Sequence, residues 1–142
     1  MKEKIDFSTI HKIGIVGFSP NPQKDSHRVG AYLITQGFCV YPVYPKEEYI
    51  ANQKVYHSTR QLLSTHHLDC LVLFRKADVC FDIAKEMIAL HSQCNIRLPK
   101  VFWMQKDIIH SEISALLEPY NIIVVQDACI MVEHKILFNI KT

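Results

Sequence analysis

The sequence predicts an α/β fold: a Rossmann-like, doubly wound, five-stranded parallel sheet with helices on both faces. Three observations point there. Five short apolar runs recur at near-even spacing, each run is continuous rather than alternating, and helical pattern fills the intervals between them. Continuous apolar strands are buried on both faces, which is the condition of a parallel sheet covered by helices. The chain has 142 residues, 49% of them apolar, enough for the core of one domain spanning 1–142 behind a polar lead-in at 1–11.

Residues 12–16 (KIGIV) form the first strand, and the stretch GIVGFSPNP, Gly14 to Pro22, turns from it into a helix. Ser26 is expected to cap that helix, which runs to Gln36 and stops at Gly37. Residues 38–44 (FCVYPVY) form the second strand, with Pro42 near its end, where a lost ladder donor is tolerable. A loop covers Pro45 to His57, and Ser58 with Gln61 makes a capping-box pair that opens a short helix to Thr65. Residues 70–74 (CLVLF) are the third strand. Asp78 is expected to cap a helix to Ser92, whose apolar pairs at 79/80, 83/84 and 87/88 mark one buried face. Residues 100–104 (KVFWM) are the fourth strand. Asp107 is expected to cap a helix carrying Ile109, Ile113, Leu116 and Leu117 on one side, ended by Pro119, which pushes Glu118 out of helical geometry. Residues 122–125 (IIVV) are the fifth strand, and 129–138 the last helix. Tyr32, Phe38 and Trp103 read as core.

Bulk properties exclude several classes. The formal net charge is only +2 and no block of like charges occurs, which argues against a nucleic-acid partner. The cysteines at 39, 70, 80, 94 and 129 are odd in number and form no C-x-x-C, the usage of a reduced cytoplasmic protein. The N-terminus has no apolar core of a signal peptide, and no run approaches the roughly 18–20 apolar residues of a membrane span. His66 and His67 lack further ligands at metal-site spacing. Cys129 and His134 are five apart and do not share a helical face, so no thiolate–imidazole pair is expected and no catalytic residue is assigned.

In an open parallel sheet, ligands bind beyond the carboxyl ends of the strands. The residues expected there include Gly17 and Ser19, then Pro45 and Lys46, Arg75 and Lys76, Gln105 and Lys106, and finally Asp127 and Cys129, with His27 and Arg28 at the first helix. Five of these are cations (Arg28, Lys46, Arg75, Lys76, Lys106), set against Asp107 and Asp127, which suits a polyanion. The acid that holds a ribose hydroxyl in NAD-binding units is missing after the second strand, where Pro45 and Lys46 stand. Lysine there suits a ribose bearing a phosphate, as in NADP or coenzyme A.

The run VGFSPNPQKDSHRVGAYLITQGF, followed by YPVYPK, VLFRKADV, VFWMQ and DACIMVEH, resembles the small bacterial CoA-binding proteins. These are single-domain relatives of the CoA-binding domain of the succinyl-CoA synthetase α-subunit. The resemblance spans roughly residues 10–137. It implies that Gly17 and Ser19 face the ligand phosphates, that Ser26 and Arg28 support the diphosphate, and that Pro45 and Lys46 border the adenosine and its phosphate. It further implies that Phe74 and Arg75 flank adenine and ribose, that Met104 and Gln105 line the pantetheine path, and that Cys129 lies near the far end. The chain departs from that pattern at Tyr44, where relatives often carry Asn, at Lys106–Asp107, where they carry Leu-Gly, and at Ala128, where they carry Arg. The expected function is binding of coenzyme A or an acyl-CoA without catalysis. The alternatives are an NADP-dependent oxidoreductase and a CoA-sensing regulatory or adaptor protein with a protein partner or as a homodimer. A mixed disulfide between Cys129 and the CoA thiol is a further variant.

Overall fold

A computed structural model describes residues 5–138. Five parallel strands, β1 (Lys12–Val16), β2 (Cys39–Val43), β5 (Cys70–Leu73), β6 (Val101–Met104) and β7 (Ile123–Val125), form one sheet in the order β2-β1-β5-β6-β7. Two two-residue strands, β3 (Tyr49–Ile50) and β4 (Gln53–Lys54), pair antiparallel as a hairpin beside it. The helices are α1 (Asp25–Thr35), α2 (Thr59–Thr65), α3 (Ala77–Cys94), α4 (Ile113–Leu117) and α5 (Ile130–Leu137). The chain winds outward from β1 to β2, then crosses back and winds the other way through β5, β6 and β7, so the direction reverses between β1 and β5.

Alternation along each strand divides the core in two. Ile13, Ile15, Val72 and Trp103 face α1 and α5 together with Val29, Leu33 and Ile130. Val16, Leu71, Leu73, Phe102 and Met104 face the other layer, with Leu62 of α2, Met87 of α3 and Ile113 of α4. The expected doubly wound sheet is therefore present, and its apolar runs are continuous because both faces are covered.

Pro42 sits in the paired register opposite Ile15. It costs β1 no bond: β2 is an edge strand, and the Pro42 carbonyl accepts the Tyr56 N–H at 2.9 Å, so its backbone polar groups face outward. The expected loop at 45–57 contains the β3–β4 hairpin, whose turn residues Ala51 and Asn52 have φ of 51° and 62°. Two-residue strands are too short to show an alternating pattern. Ser58 caps α2 as expected, accepting the Gln61 N–H at 3.0 Å, but the Gln61 side chain closes on the His57 N–H at 2.8 Å, one residue earlier than a strict capping box.

Three expected caps are corrected. α1 begins at Asp25 with Lys24 at the cap, so Ser26 lies inside the first turn. α3 begins at Ala77 with Lys76 at the cap, and Asp78 contributes only its charge to the first turn. Asp107 caps nothing: it takes a left-handed turn at φ 68°, its N–H donates to Asp127 Oδ1 at 2.7 Å, and α4 starts only at Ile113. Ile109 therefore lies outside the helix and is 60% exposed, while Ile113 and Leu117 are buried. Glu118 stays helical at φ −54° and ψ −44°, and the chain runs on through a 3-10 turn to Tyr120, because Pro119 is accepted at the start of that new turn.

Two packing features tie α1 and α5 to the sheet. A Cβ on Gly30 of α1 would stand 2.2 Å from the Phe18 ring, so the helix approaches the first turn as closely as it does only because no side chain intervenes. On α5, buried His134 shares a hydrogen bond between Nδ1 and the Tyr32 hydroxyl (2.6 Å), with Phe7 and Phe38 edge-on to its ring. Burial holds the His134 imidazole below the ordinary histidine range, and burial, with Lys12 and Lys54 nearby, does the same for His66.

Gly30→Ala is expected to destabilise the fold by about 1–3 kcal/mol, measured by denaturant melts; an unchanged melt would refute the close approach. The histidines predict a sign for pH. Their folded-state affinity for protons lies below the unfolded value, so the unfolded chain takes up more protons on acidification. Stability is then full above about pH 6.5 and declines as pH falls below it, by up to about 1.4 kcal/mol per pH unit for one such group. His134→Gln, which keeps a hydrogen-bonding partner for the Tyr32 hydroxyl, should flatten that decline in melts run from pH 8 to 5.

Candidate functional site

The reversal between β1 and β5 leaves an open crevice at the carboxyl ends of the strands. Its floor is set by the turn after β1. Gly17 has φ +86°, and a Cβ there would meet the Phe74 carbonyl at 2.8 Å, so only glycine lets the β1 turn lie against the end of β5. The loop beyond is closed on itself. The Gly17 N–H donates to the Val43 carbonyl (2.9 Å), the Ser19 N–H to Ser26 Oγ (2.9 Å), the Asn21 N–H to Ser19 Oγ (3.1 Å), and His27 Nδ1–H to the Ser19 carbonyl (2.9 Å). Ser26 thus fixes the loop rather than capping the helix.

Two cavities flank this point and share Phe74 and Arg75. The first, about 690 Å³, runs from the start of α1 (Asp25, Arg28) past Lys76 to Gln105, Lys106 and Asp107 after β6 and on to Cys129 and Met131 at the start of α5. The second, about 650 Å³, lies toward β2, between Gly17, Tyr44 and Pro45 on one side and His57, Thr59 and Glu86 on the other. The Phe74–Arg75 step is therefore the ridge between two halves of one crevice.

The first cavity is electropositive for two reasons. Four cations line it (Arg28, Arg75, Lys76, Lys106) against two carboxylates, Asp25 and Asp107. In addition, α1, α3 and α5 all begin on its wall, and none of their cap side chains, Lys24, Lys76 or Cys129, makes a capping bond. Apart from the Ile130 N–H of α5, which donates to Gln105 Oε1, and the His27 N–H of α1, which donates to the Lys24 carbonyl, their first-turn N–H groups are thus left to whatever occupies the cavity. Asp25 partly offsets the α1 terminus, and it is ion-paired with Arg28, which also donates to the Gln23 carbonyl at 2.7 Å.

Among the residues expected at the site, Gly17, Arg28, Pro45, Phe74, Arg75, Gln105 and Cys129 line one cavity or the other. Ser19 and Ser26 lie behind the wall as loop braces, and Lys46 is exposed beyond Pro45 and lines neither of these cavities. Met104 is corrected: it is wholly buried among Leu73, Met87 and Ile113, because alternation along β6 turns Trp103 and Gln105 to one face and Met104 to the other. Gln105 is buried and polar, and its Oε1 accepts the Ile130 N–H at 3.0 Å. Asp107 adopts the left-handed turn that glycine would occupy, which aspartate tolerates. Trp103 Nε1–H donates to the Ala128 carbonyl at 2.8 Å, which anchors the segment leading into Cys129.

The sequence reading missed Asp25, Ile108, Met131 and Val132 on the first cavity and His57, Thr59 and Glu86 on the second. The second group had a readable signal, since the cap at Ser58 places a helix start there. Cys70 and Cys80 are sunk in the core, where burial raises both thiols, Cys80 to about 11. No cluster of metal ligands occurs among the described residues, and no helix there is long and apolar enough to cross a membrane.

The family described as CoA binding domain matches residues 11–135. The chain is similar to the uncharacterized protein YneT of Bacillus subtilis, with 25% identity over 125 residues, 88% of this chain and 86% of that protein. It is also similar to the solved structure of cell-free ID.343 from Thermus thermophilus (33% identity, TM-score 0.80, 93% of each chain). A hypothetical protein from Pyrococcus horikoshii OT3 gives 30% identity and a TM-score of 0.79, over 93% of this chain and 87% of that one.

Proposed function

We propose, from the premise that this chain belongs to the CoA binding domain family, that its crevice holds coenzyme A or an acyl-CoA across the ridge at Phe74 and Arg75. The observation that carries this reading is the pairing of the two cavities with their unequal chemistry. The diphosphate suits the first cavity beside Arg28, Arg75 and Lys76, where the α1 and α3 termini present unfilled N–H groups. The adenosine suits the second, where Pro45 and Tyr44 give an apolar wall and His57, Thr59 and Glu86 give polar groups. To Lys46, exposed beyond Pro45, we assign a phosphate projecting outward from the ribose. The pantetheine arm then follows the first cavity toward Gln105 and Cys129.

The residues present fit this ligand electrostatically. The three residues that follow β2 are Tyr44, Pro45 and Lys46, and Arg75 lines both cavities, so one guanidinium can serve the diphosphate and the ribose side together.

Titration calorimetry with CoA, 3′-dephospho-CoA and NADPH tests the reading. CoA should bind, dephospho-CoA should bind about tenfold or more weakly, and NADPH should not raise the melting temperature as CoA does. Arg75→Glu should weaken CoA by about 100-fold through loss of a cation shared by both cavities. Lys46→Glu should weaken CoA while leaving dephospho-CoA nearly unchanged. Equal affinity for CoA and its dephospho form would sink the assignment of the ribose phosphate, and absence of CoA binding would sink the whole reading.

A further inference from the structure

We infer that the α5 end of the first cavity is built for a thioester carbonyl followed by an apolar acyl chain, so that the preferred ligand is an acyl-CoA rather than free CoA. This rests on the CoA reading and goes beyond it by naming the ligand class. It begins with Gln105, which is 3% exposed yet lines the cavity. Its carboxamide orientation is fixed. The Ile130 N–H can only donate, so the atom 3.0 Å away must be Oε1. That leaves Nε2, which has no protein partner among the described residues. No side-chain nitrogen or oxygen there is both buried and unpartnered, so Nε2 opens onto the cavity. A side chain almost wholly removed from solvent thus offers its N–H donors to the occupant alone.

The surroundings continue the same chemistry. The first turn of α5 starts beside this amide, and Cys129 makes no capping bond, so further N–H groups and the positive end of the helix point the same way. Together they suit an uncharged carbonyl oxygen accepting hydrogen bonds. Past that point the wall turns apolar, with Ile108 and Met131 half-buried and Val132 44% exposed. Ile136, one turn further along the helix, is 71% exposed and extends the strip outward. Three of the four cations stand apart from this wall, Arg28 on α1 and Arg75 and Lys76 after β5, while Lys106 follows Gln105 and is offset by Asp107 beside it. A ligand held at those three by its phosphates therefore brings its other end to an amide donor and then to an aliphatic surface. A free thiol uses neither feature, whereas an acyl thioester uses both.

Affinities for CoA, acetyl-CoA, butyryl-CoA and octanoyl-CoA, measured by calorimetry under reducing conditions, test this. Acetyl-CoA should bind more tightly than CoA, and octanoyl-CoA at least about tenfold more tightly than acetyl-CoA, as methylenes leave water. Gln105→Glu keeps the acceptor for Ile130 N–H and removes the donor. It should erase the advantage of acetyl-CoA over CoA, read as the ratio of the two affinities so that a general effect of the added charge cancels. Val132→Asn, on the apolar strip, should remove the gain with chain length, read as the ratio of the octanoyl-CoA to the acetyl-CoA affinity so that a general effect on the cavity cancels. Equal affinity for CoA and all three thioesters would overturn the inference while leaving the CoA reading intact, whereas binding of none would overturn the CoA reading itself.

Discussion

Parallel strands impose one constraint from which the rest of this molecule follows. Because every strand runs the same way, the chain leaves each one at the same end of the sheet, and α1, α2, α3 and α5 start along that rim. Four sets of unpaired backbone N–H groups are thereby crowded along one rim. The chain satisfies them unequally. Ser58 caps α2 and Gln105 takes the first N–H of α5, while α1 and α3 are left without a capping side chain where they meet the first cavity. Serine and aspartate were available within two residues of the α1 and α3 starts, at Ser26 and Asp78, yet both fall past the cap position. Stabilisation of about 1 kcal/mol per cap is thereby forgone, at the rim where an anion would recover it.

The aspartate at the head of α1 looks at first like an obstacle to an anionic ligand, since Asp25 already occupies the positive end of the helix. Magnitudes decide the matter. Asp25 and Arg28 are 77% and 54% exposed, and an exposed pair of this kind is worth about 0–1 kcal/mol. A diphosphate bound at the same helix terminus can draw Arg28 away from Asp25 at little cost, because both side chains remain solvated. The pair acts as a weak internal substitute for a ligand and does not block one.

Much of the fold was legible because it rests on burial. All five strands appear within a residue or so of their expected bounds, since runs such as CLVL and VFWM are buried on both sides and carry an unambiguous signal. The buried face of α3 was legible for the same reason at helical spacing. What failed depended on single hydrogen bonds. Whether an aspartate caps a helix or turns left-handed is decided by a partner far away in sequence: Asp107 is held by Asp127, twenty residues on. The hairpin at 49–54 has a non-glycine turn held partly by burial of Ile50 and Val55, which local pattern does not announce. The site was legible as a rim of strand ends, but not in its depth. Met104 and Gln105 are neighbours in an apolar run, and only the parity of β6 sends one to the core and the other to the cavity.

That parity also explains why polar Gln105 is accepted in so apolar a setting. A buried carboxamide left unsatisfied would cost about 1–3 kcal/mol. Here one end is satisfied by the first N–H of α5 and the other meets an open cavity, so the cost is removed whether water or ligand stands there. The same bond fixes where α5 begins. Because the Trp103 N–H holds the Ala128 carbonyl two residues earlier, alternate side chains at the end of β6 position the segment that closes the cavity. The sheet core and the cavity wall are thus joined through two neighbouring hydrogen bonds, and a change in either would be felt in both.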